Sequence, residues 1–367
     1  MLQLETYSVR LLFDLGHPAH FHLFKNAIVE LRAGGHDVVI FAREKDCLPE
    51  LLEKTGWHYH MPCRKRGGQL RLGLEAVGIF ARAVAMGLAR PFDLMIGTSF
   101  VIGPASRITG ATSLVFSEND AAHVPLFVKL AYTSGHYVVT PRCLQSDLNR
   151  AKHLTYRGYQ ELAYLHPNRF RPDPGIRAEL GLGEDEKYFL IRKAAYTAFH
   201  DVGHTGLAGK QLQMLIDRLA RHGRVFLSIE ADLPGELQSC RLPTPADRML
   251  DVLAFADMVV ADSATVTIEA GVLGTPAAWC STFVGDLAIL KELEHKYGLI
   301  AGYRPEDFDG LVARIDEWLM TPNLKDRWQQ RRSRMLGECV DLTAWILDLL
   351  GRLSPRGEAA KGHKRLG

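Results

Sequence analysis

The residues with the densest chemical potential lie near the start of the chain, in FDLGHPAHFH (13–22), where His17, His20 and His22 crowd together. Imidazole ligates metals, relays protons and changes charge near neutral pH. Three readings are therefore open: a metal site, a catalytic group, and a helix start that is rich in histidine. Pro18 suits the first position of a helix, which puts His17 near the N-cap and His20 one turn on, along the same face. His22 is two residues from His20 and looks elsewhere, so a three-histidine metal site is geometrically awkward and no metal is expected. The positive end of the helix dipole lowers an imidazole pKa, and a neutral His17 or His20 suits taking a proton from a hydroxyl. Glu118, in FSENDAAH (116–123), follows another apolar run and is the carboxylate expected to join them in general acid–base work. The plainer reading of Glu118 is a loop carboxylate ahead of a helix that begins near Val124.

A second set of residues suits phosphate. In VVADSATVTIEAGVLGTP (259–276) a strand ends at Asp262-Ser263 and a helix opens with Ala264-Thr265. Ser263 is expected as N-cap, and the free amides behind it form an anion site. Glu269, further along the helix, is placed to hold ribose hydroxyls. The plainer reading has Ser263 only capping and Glu269 solvated. Upstream, LIRKAAYTAFHDVGHTG (190–206) puts Arg192 and Lys193 at a strand end, a basic pair that suits a diphosphate or simply faces solvent. His200 and His204 have helical spacing, but the glycines beside them argue against a helix and a metal pair.

These residues need elements to position them. Apolar runs alternate with helical patterns: VRLLFDL (9–15), a helix over 18–33, DVVIFA (37–42), DLMIG (93–97), TSLVF (112–116) and YVVT (137–140). After the proline-rich segment 165–175 the pattern restarts. KYFLIRK (187–193) is followed by a helix near 207–222, RVFLSI (224–229), a helix near 246–255, DMVVA (257–261), a helix near 263–273 and PAAWCS (276–281). Such alternation implies parallel sheets with crossover helices. The expected fold class is α/β, two Rossmann-like doubly wound domains with a cleft between them. The expected division is 1–164 for an acceptor-side domain, 165–175 as linker, and 176–322 for a nucleotide-binding domain. A helical segment over 323–353 is expected to pack back on the first domain, and 354–367 to be disordered. In open α/β sheets ligands lie beyond the carboxyl ends of the strands, where all the residues singled out above fall.

Composition narrows the classes. A net charge of +2 on 367 residues, with no long basic block in the folded part, argues against nucleic acid as a partner. The six scattered cysteines form no C-x-x-C pair and read as reduced thiols of a cytoplasmic protein. The start lacks signal-peptide features. The apolar window 72–97 carries too many charges to span a membrane. The segment 63–88, a basic loop before an apolar helix, reads either as weak contact with a membrane surface or as a core helix with a basic loop ahead of it. Oligomeric state has no signature.

A two-Rossmann chain with D-S-x-x-x-x-x-E-A and then L-G-T-P late in its second half resembles glycosyltransferase-B fold proteins. Within them it is similar to the non-hydrolysing UDP-N-acetylglucosamine 2-epimerases and to the lipid-linked N-acetylglucosaminyltransferase of peptidoglycan synthesis. The stretch DLGHPAHFHLFKNAIVELRAGGHDV resembles the start of a bacterial and archaeal group of unassigned activity in the same superfamily. The resemblance spans about residues 9–350. It implies a nucleotide-diphosphate sugar as substrate, UDP-linked first among the candidates, and no separate cofactor. It implies that Ser263, Ala264 and Thr265 meet the phosphates, that Glu269 meets the ribose, and that Arg192 adds a phosphate contact. The loop with His17 and His20 would face the acceptor and the reacting sugar. Two departures stand out: the first loop has a single Gly16, and Thr98-Ser99 stand where the epimerases carry an aspartate, although Glu118 matches one member of their acidic set. The first reading is thus a metal-independent glycosyltransferase. Its alternatives are a 2-epimerase and a non-catalytic sugar- or nucleotide-binding protein.

Overall fold

A computed structural model describes residues 8–61, 69–118, 134–144, 152–183, 185–193, 207, 209–229 and 235–354. The helix expected near Val124, the pair His200 and His204, and the tail beyond Ser354 lie outside the described residues. The chain divides into two compact units. The first runs to Arg169 and resumes at Val340; the second is Phe170–Cys339.

The first unit is a six-stranded sheet in the order β2-β1-β3-β4-β5-β6, with every described pairing parallel. Its strands are β1 (Arg10–Leu15), β2 (Asp37–Ala42), β3 (Leu94–Gly97), β4 (Thr112–Phe116), β5 (Tyr137–Pro141) and β6 (His153–Tyr156). β1, β3, β4 and β5 are apolar almost throughout because helices cover such a sheet on both faces. Helix α1 (Pro18–Ala33) buries Phe21, Phe24, Ala27, Ile28 and Leu31, a stripe at helical spacing. Burying a side chain of this size contributes about 1.5–3 kcal/mol. Phe24 packs edge-on against Phe13 of β1 and Phe116 of β4, at 5.4 and 5.1 Å between ring centroids. Gly34 and Gly35 end the helix, and Gly35 takes φ 78°, a conformation open to glycine.

The second unit is a five-stranded parallel sheet in the order β11-β10-β9-β7-β8. Its strands are β7 (Tyr188–Lys193), β8 (Arg224–Ile229), β9 (Met258–Ala261), β10 (Ala277–Cys280) and β11 (Ile300–Tyr303). Both sheets therefore follow the doubly wound 2-1-3-4-5 order. The direction of winding reverses between the first and third strands, β1/β3 in one unit and β7/β9 in the other.

β6 and β11 extend the sheets beyond the strands expected from the sequence. The expected helical stretch 323–353 is two helices in different units. Leu324–Glu338 belongs to the second, and Leu342–Leu353 belongs to the first, where it packs on α1 and on the short helix Leu162–Leu165. The proline-rich segment is pinned at both ends. Arg169 pairs with Asp341 at 2.9 Å. The amide of Asp173 donates to Asp251 at 2.8 Å, and Arg248 bonds the Asp173 carboxylate at 2.9 Å. Among the described residues no helix is long and apolar enough to cross a membrane. In the helix Gln69–Ala89, Val77 and Leu88 are exposed.

Candidate functional site

Each unit gathers polar residues at its own β-strand reversal, and in each case the strand register sets them there. In the first unit β1 pairs with β3 so that Asp14 lies opposite Gly97. The residues that leave the two strands, Gly16–His20 and Thr98-Ser99, are thereby brought together across nearly eighty positions of sequence.

His17 is the N-cap of α1, with φ −158° and ψ 154°, and Pro18 is the first helical residue. The cap is made by the imidazole itself: the Ala19 amide donates to His17 Nδ1 at 3.1 Å. His17 Nε2 faces Asp46 at 3.5 Å. One turn on, His20 is half-buried, and its Nδ1 accepts from the Gly16 amide at 3.1 Å. Thr98 Oγ1 stands 2.7 Å from His20 Nδ1 and 3.0 Å from Nε2. Burial first, then the nearby His17, Arg43 and Lys45, holds the His20 imidazole well below its ordinary pKa, so it is neutral at pH 7. His22 points away from both. It lies against Phe21 and Tyr164, and burial above all pushes its pKa down to about 3. Among the described residues no group of three or more His, Cys, Asp and Glu is arranged to hold a metal.

Beneath the loop is a polar floor absent from the sequence-based set. Asp14, only 2% exposed, pairs with Arg43 at 3.4 Å. The Arg43 guanidinium donates to Ser99 Oγ at 3.0 Å and faces Glu75 at 3.8 Å. A side chain at position 16 would come within 3.3 Å of that guanidinium, which would have to shift by a few tenths of an ångström to admit it. Arg43 and Thr98 directly follow β2 and β3, and Ser99 comes one residue later. That is the positional signal by which Glu118 and Lys193 were singled out.

Glu118 follows β4 and is half-buried, and burial pushes its carboxyl up to about 7. Its charged neighbourhood includes the buried Tyr156 of β6, whose phenol is held well above its ordinary value by burial and then by Glu118 and Glu161. The hydrogen-bond partners of His20 are Gly16 and Thr98, not Glu118. Among the described residues, the charge of Glu118 bears on Tyr156, and no bond joins Glu118 to His20.

In the second unit the register places Arg192 of β7 opposite Ala261 of β9, so the β7 end lies beside the Asp262-Ser263 turn. The Asp262 amide donates to the Arg192 carbonyl at 3.2 Å. Arg192 itself donates to Ser228 of β8 at 2.8 Å, and Lys193 lies 3.9 Å from the buried Asp262 carboxylate. Ser263 is the N-cap of the helix Ala264–Leu273, with extended φ −89° and ψ 122°, but its hydroxyl makes no capping bond. Ser263 and Ala264 are half-buried, and Thr265 is exposed. Glu269 is buried, 8% exposed, which corrects the reading of it as a solvated side chain. Gly274 closes the helix at φ 75°. Partly positive amide groups at a helix start, next to a lysine and an arginine, form a setting that attracts anions.

Two α/β units of doubly wound topology define the glycosyltransferase-B class of fold, and solved structures place the chain in it. Spinosyn forosaminyltransferase SpnP aligns over 95% of this chain and 99% of its own, with TM-score 0.66 and 16% identity. UDP-GlcNAc 2-epimerase from Neisseria meningitidis, bound to UDP-GlcNAc, aligns over 93% of this chain and all of its own, with TM-score 0.65 and 10% identity. MurG from Acinetobacter baumannii aligns over 94% and 99%, with TM-score 0.58 and 12% identity. At such identities the likeness is one of fold. No family model and no curated protein matches the chain.

Proposed function

We propose that the chain is a metal-independent glycosyltransferase that takes its sugar from a nucleoside-diphosphate donor, with UDP-linked sugars first among the candidates. The observation that carries the reading is the β7/β9 reversal. There a helix start whose Ser263 hydroxyl makes no capping bond stands next to the strand end that carries Arg192 and Lys193. The diphosphate would take the amides and hydroxyls of Ser263, Ala264 and Thr265 together with the two cations, and Glu269 would hold the ribose. In the first unit, His17, His20 and Glu118 are the groups proposed to meet the acceptor. The transferases and the nucleotide-sugar-bound epimerase among the structural neighbours support this choice of substrate class.

Calorimetric titration of the full chain with UDP, GDP, CDP and TDP and their sugars tests the reading. Binding of one nucleotide series is expected, and silence across all of them at about millimolar concentration, a free energy of about −4 kcal/mol, would sink it. A second reading, epimerisation at the sugar C2, is favoured by the Glu118 carboxyl, whose pKa near 7 suits proton transfer at neutral pH. Deuterium uptake from solvent into recovered donor sugar separates the two, because transfer leaves the C2 hydrogen in place.

A further inference from the structure

We infer that His20 is a neutral hydrogen-bond donor, locked as its Nε2–H tautomer by the Gly16 amide and offering that N–H to an acceptor oxygen, rather than the base that removes the acceptor's proton. A backbone amide only donates, and Nδ1 has one in-plane lone pair. With the Gly16 amide on that lone pair at 3.1 Å, the neutral ring carries its hydrogen on Nε2. Thr98 Oγ1, 2.7 Å from Nδ1 and 3.0 Å from Nε2, is out of line with the Nε2–H bond, so that hydrogen is not given to Thr98. To act as a base, His20 would have to release the Gly16 amide, since no second lone pair exists.

The charged and titratable groups that bear on the ring are His17, Arg43 and Lys45, none of which favours an imidazolium. Asp14 and Glu75 are the carboxylates that Arg43 faces. His17 is tied in the same way, its Nδ1 occupied by the Ala19 amide. Both histidines thus present N–H groups at the β1/β3 reversal. The ligand chemistry this fits is an oxygen with available lone pairs, such as a hydroxyl of the acceptor, held while another group takes its proton. The tautomer stands on geometry alone; the acceptor oxygen rests on the transferase reading.

Two measurements on the full chain decide it. Long-range 1H–15N correlation spectra, with His20 assigned from the His20→Gln variant, are expected to show an unprotonated Nδ1 and a protonated Nε2 from about pH 5.5 to about pH 8. A protonated Nδ1, or titration near the ordinary value of about 6.5, overturns the proposal whether or not a sugar substrate is known. With a substrate, His20→Gln keeps a donor but no base, so kcat should stay within about tenfold of the parent. Removing a general base costs about 10²–10⁴-fold, and that loss in the glutamine variant would refute the donor role. If no nucleotide sugar is turned over, only the functional reading fails, and the spectra still settle the tautomer.

Discussion

Glu118 is where a single residue ties stability to chemistry. Burial raises its carboxyl from the ordinary value of 4.5 to about 7, with Tyr156 among the groups that feel its charge. The unfolded chain gives up that proton more readily than the folded one. The fold therefore pays nothing for the residue below about pH 4.5, loses stability as the pH climbs, and carries the full cost above about pH 7. A Glu118→Gln variant should be more stable than the parent by on the order of 1–3 kcal/mol at about pH 8, and equal to it at about pH 4.5. Urea unfolding at the two pH values checks this; an equal gain at both would mean that packing, not ionisation, is responsible. His20 is shifted the opposite way by burial and neighbouring positive charge. A raised carboxyl and a lowered imidazole in one unit leave the carboxylate as the group that titrates near neutral pH.

Among the elements, two helix starts look alike in sequence and differ in what their caps do. Asp341 opens the helix Leu342–Leu353 and accepts from the Ala344 amide at 3.1 Å, besides holding Arg169. Ser263 opens the helix Ala264–Leu273 with a hydroxyl that makes no capping bond, while its carbonyl accepts from the Thr267 amide and hydroxyl. Asp341→Ala is therefore expected to cost about 1–2 kcal/mol, the usual worth of a cap, and Ser263→Ala less than about 0.5 kcal/mol. If the Ser263 hydroxyl serves a phosphate, Ser263→Ala should weaken nucleotide binding about tenfold while leaving unfolding unchanged. A stability loss equal to that of Asp341→Ala would make Ser263 an ordinary cap.

Elements were also where the sequence spoke most clearly. Apolar runs marked TSLVF and RVFLSI to the residue, and Pro18 marked the start of the first helix. β6, HLTY, escaped because as an edge strand it is mostly half-exposed and polar, and β11, IAGY, because it is short and contains Gly302. At the candidate site, histidines and carboxylates announce themselves by type. Thr98, Ser99 and Arg43 do not, since a hydroxyl or an arginine is ordinary on any surface. Their relation to His20 and Asp14 exists only through the β1/β3 and β1/β2 register. The same limit hid the state of the imidazoles. A helix start suggested a neutral base, but the amides of Gly16 and Ala19 that claim both Nδ1 atoms are visible only in three dimensions.

At the scale of the whole molecule, the chain leaves the first unit at Arg169 and re-enters it at Val340. Its last helix thus completes the first unit after the second has been built. The Val340 amide donates to the Arg157 carbonyl at 3.0 Å, and Thr343 donates to the Ala163 carbonyl at 2.7 Å, both within the first unit. Ile346 of that helix is fully buried, as is Leu253 in the second unit. Each unit has its own sheet and its own core, so scanning calorimetry should resolve two components. Ile346→Ala should lower only the component of the first unit and Leu253→Ala only that of the second, each by about 2–4 kcal/mol. A nucleotide that binds at the β7/β9 reversal, supplied at a hundred times its Kd, should raise the Leu253-sensitive component by about 2.7 kcal/mol and leave the other in place. A ligand shift confined to the Ile346-sensitive component would move the donor site to the first unit. The β1/β3 reversal, with its two imidazole N–H donors, would then be the place to look for the phosphates.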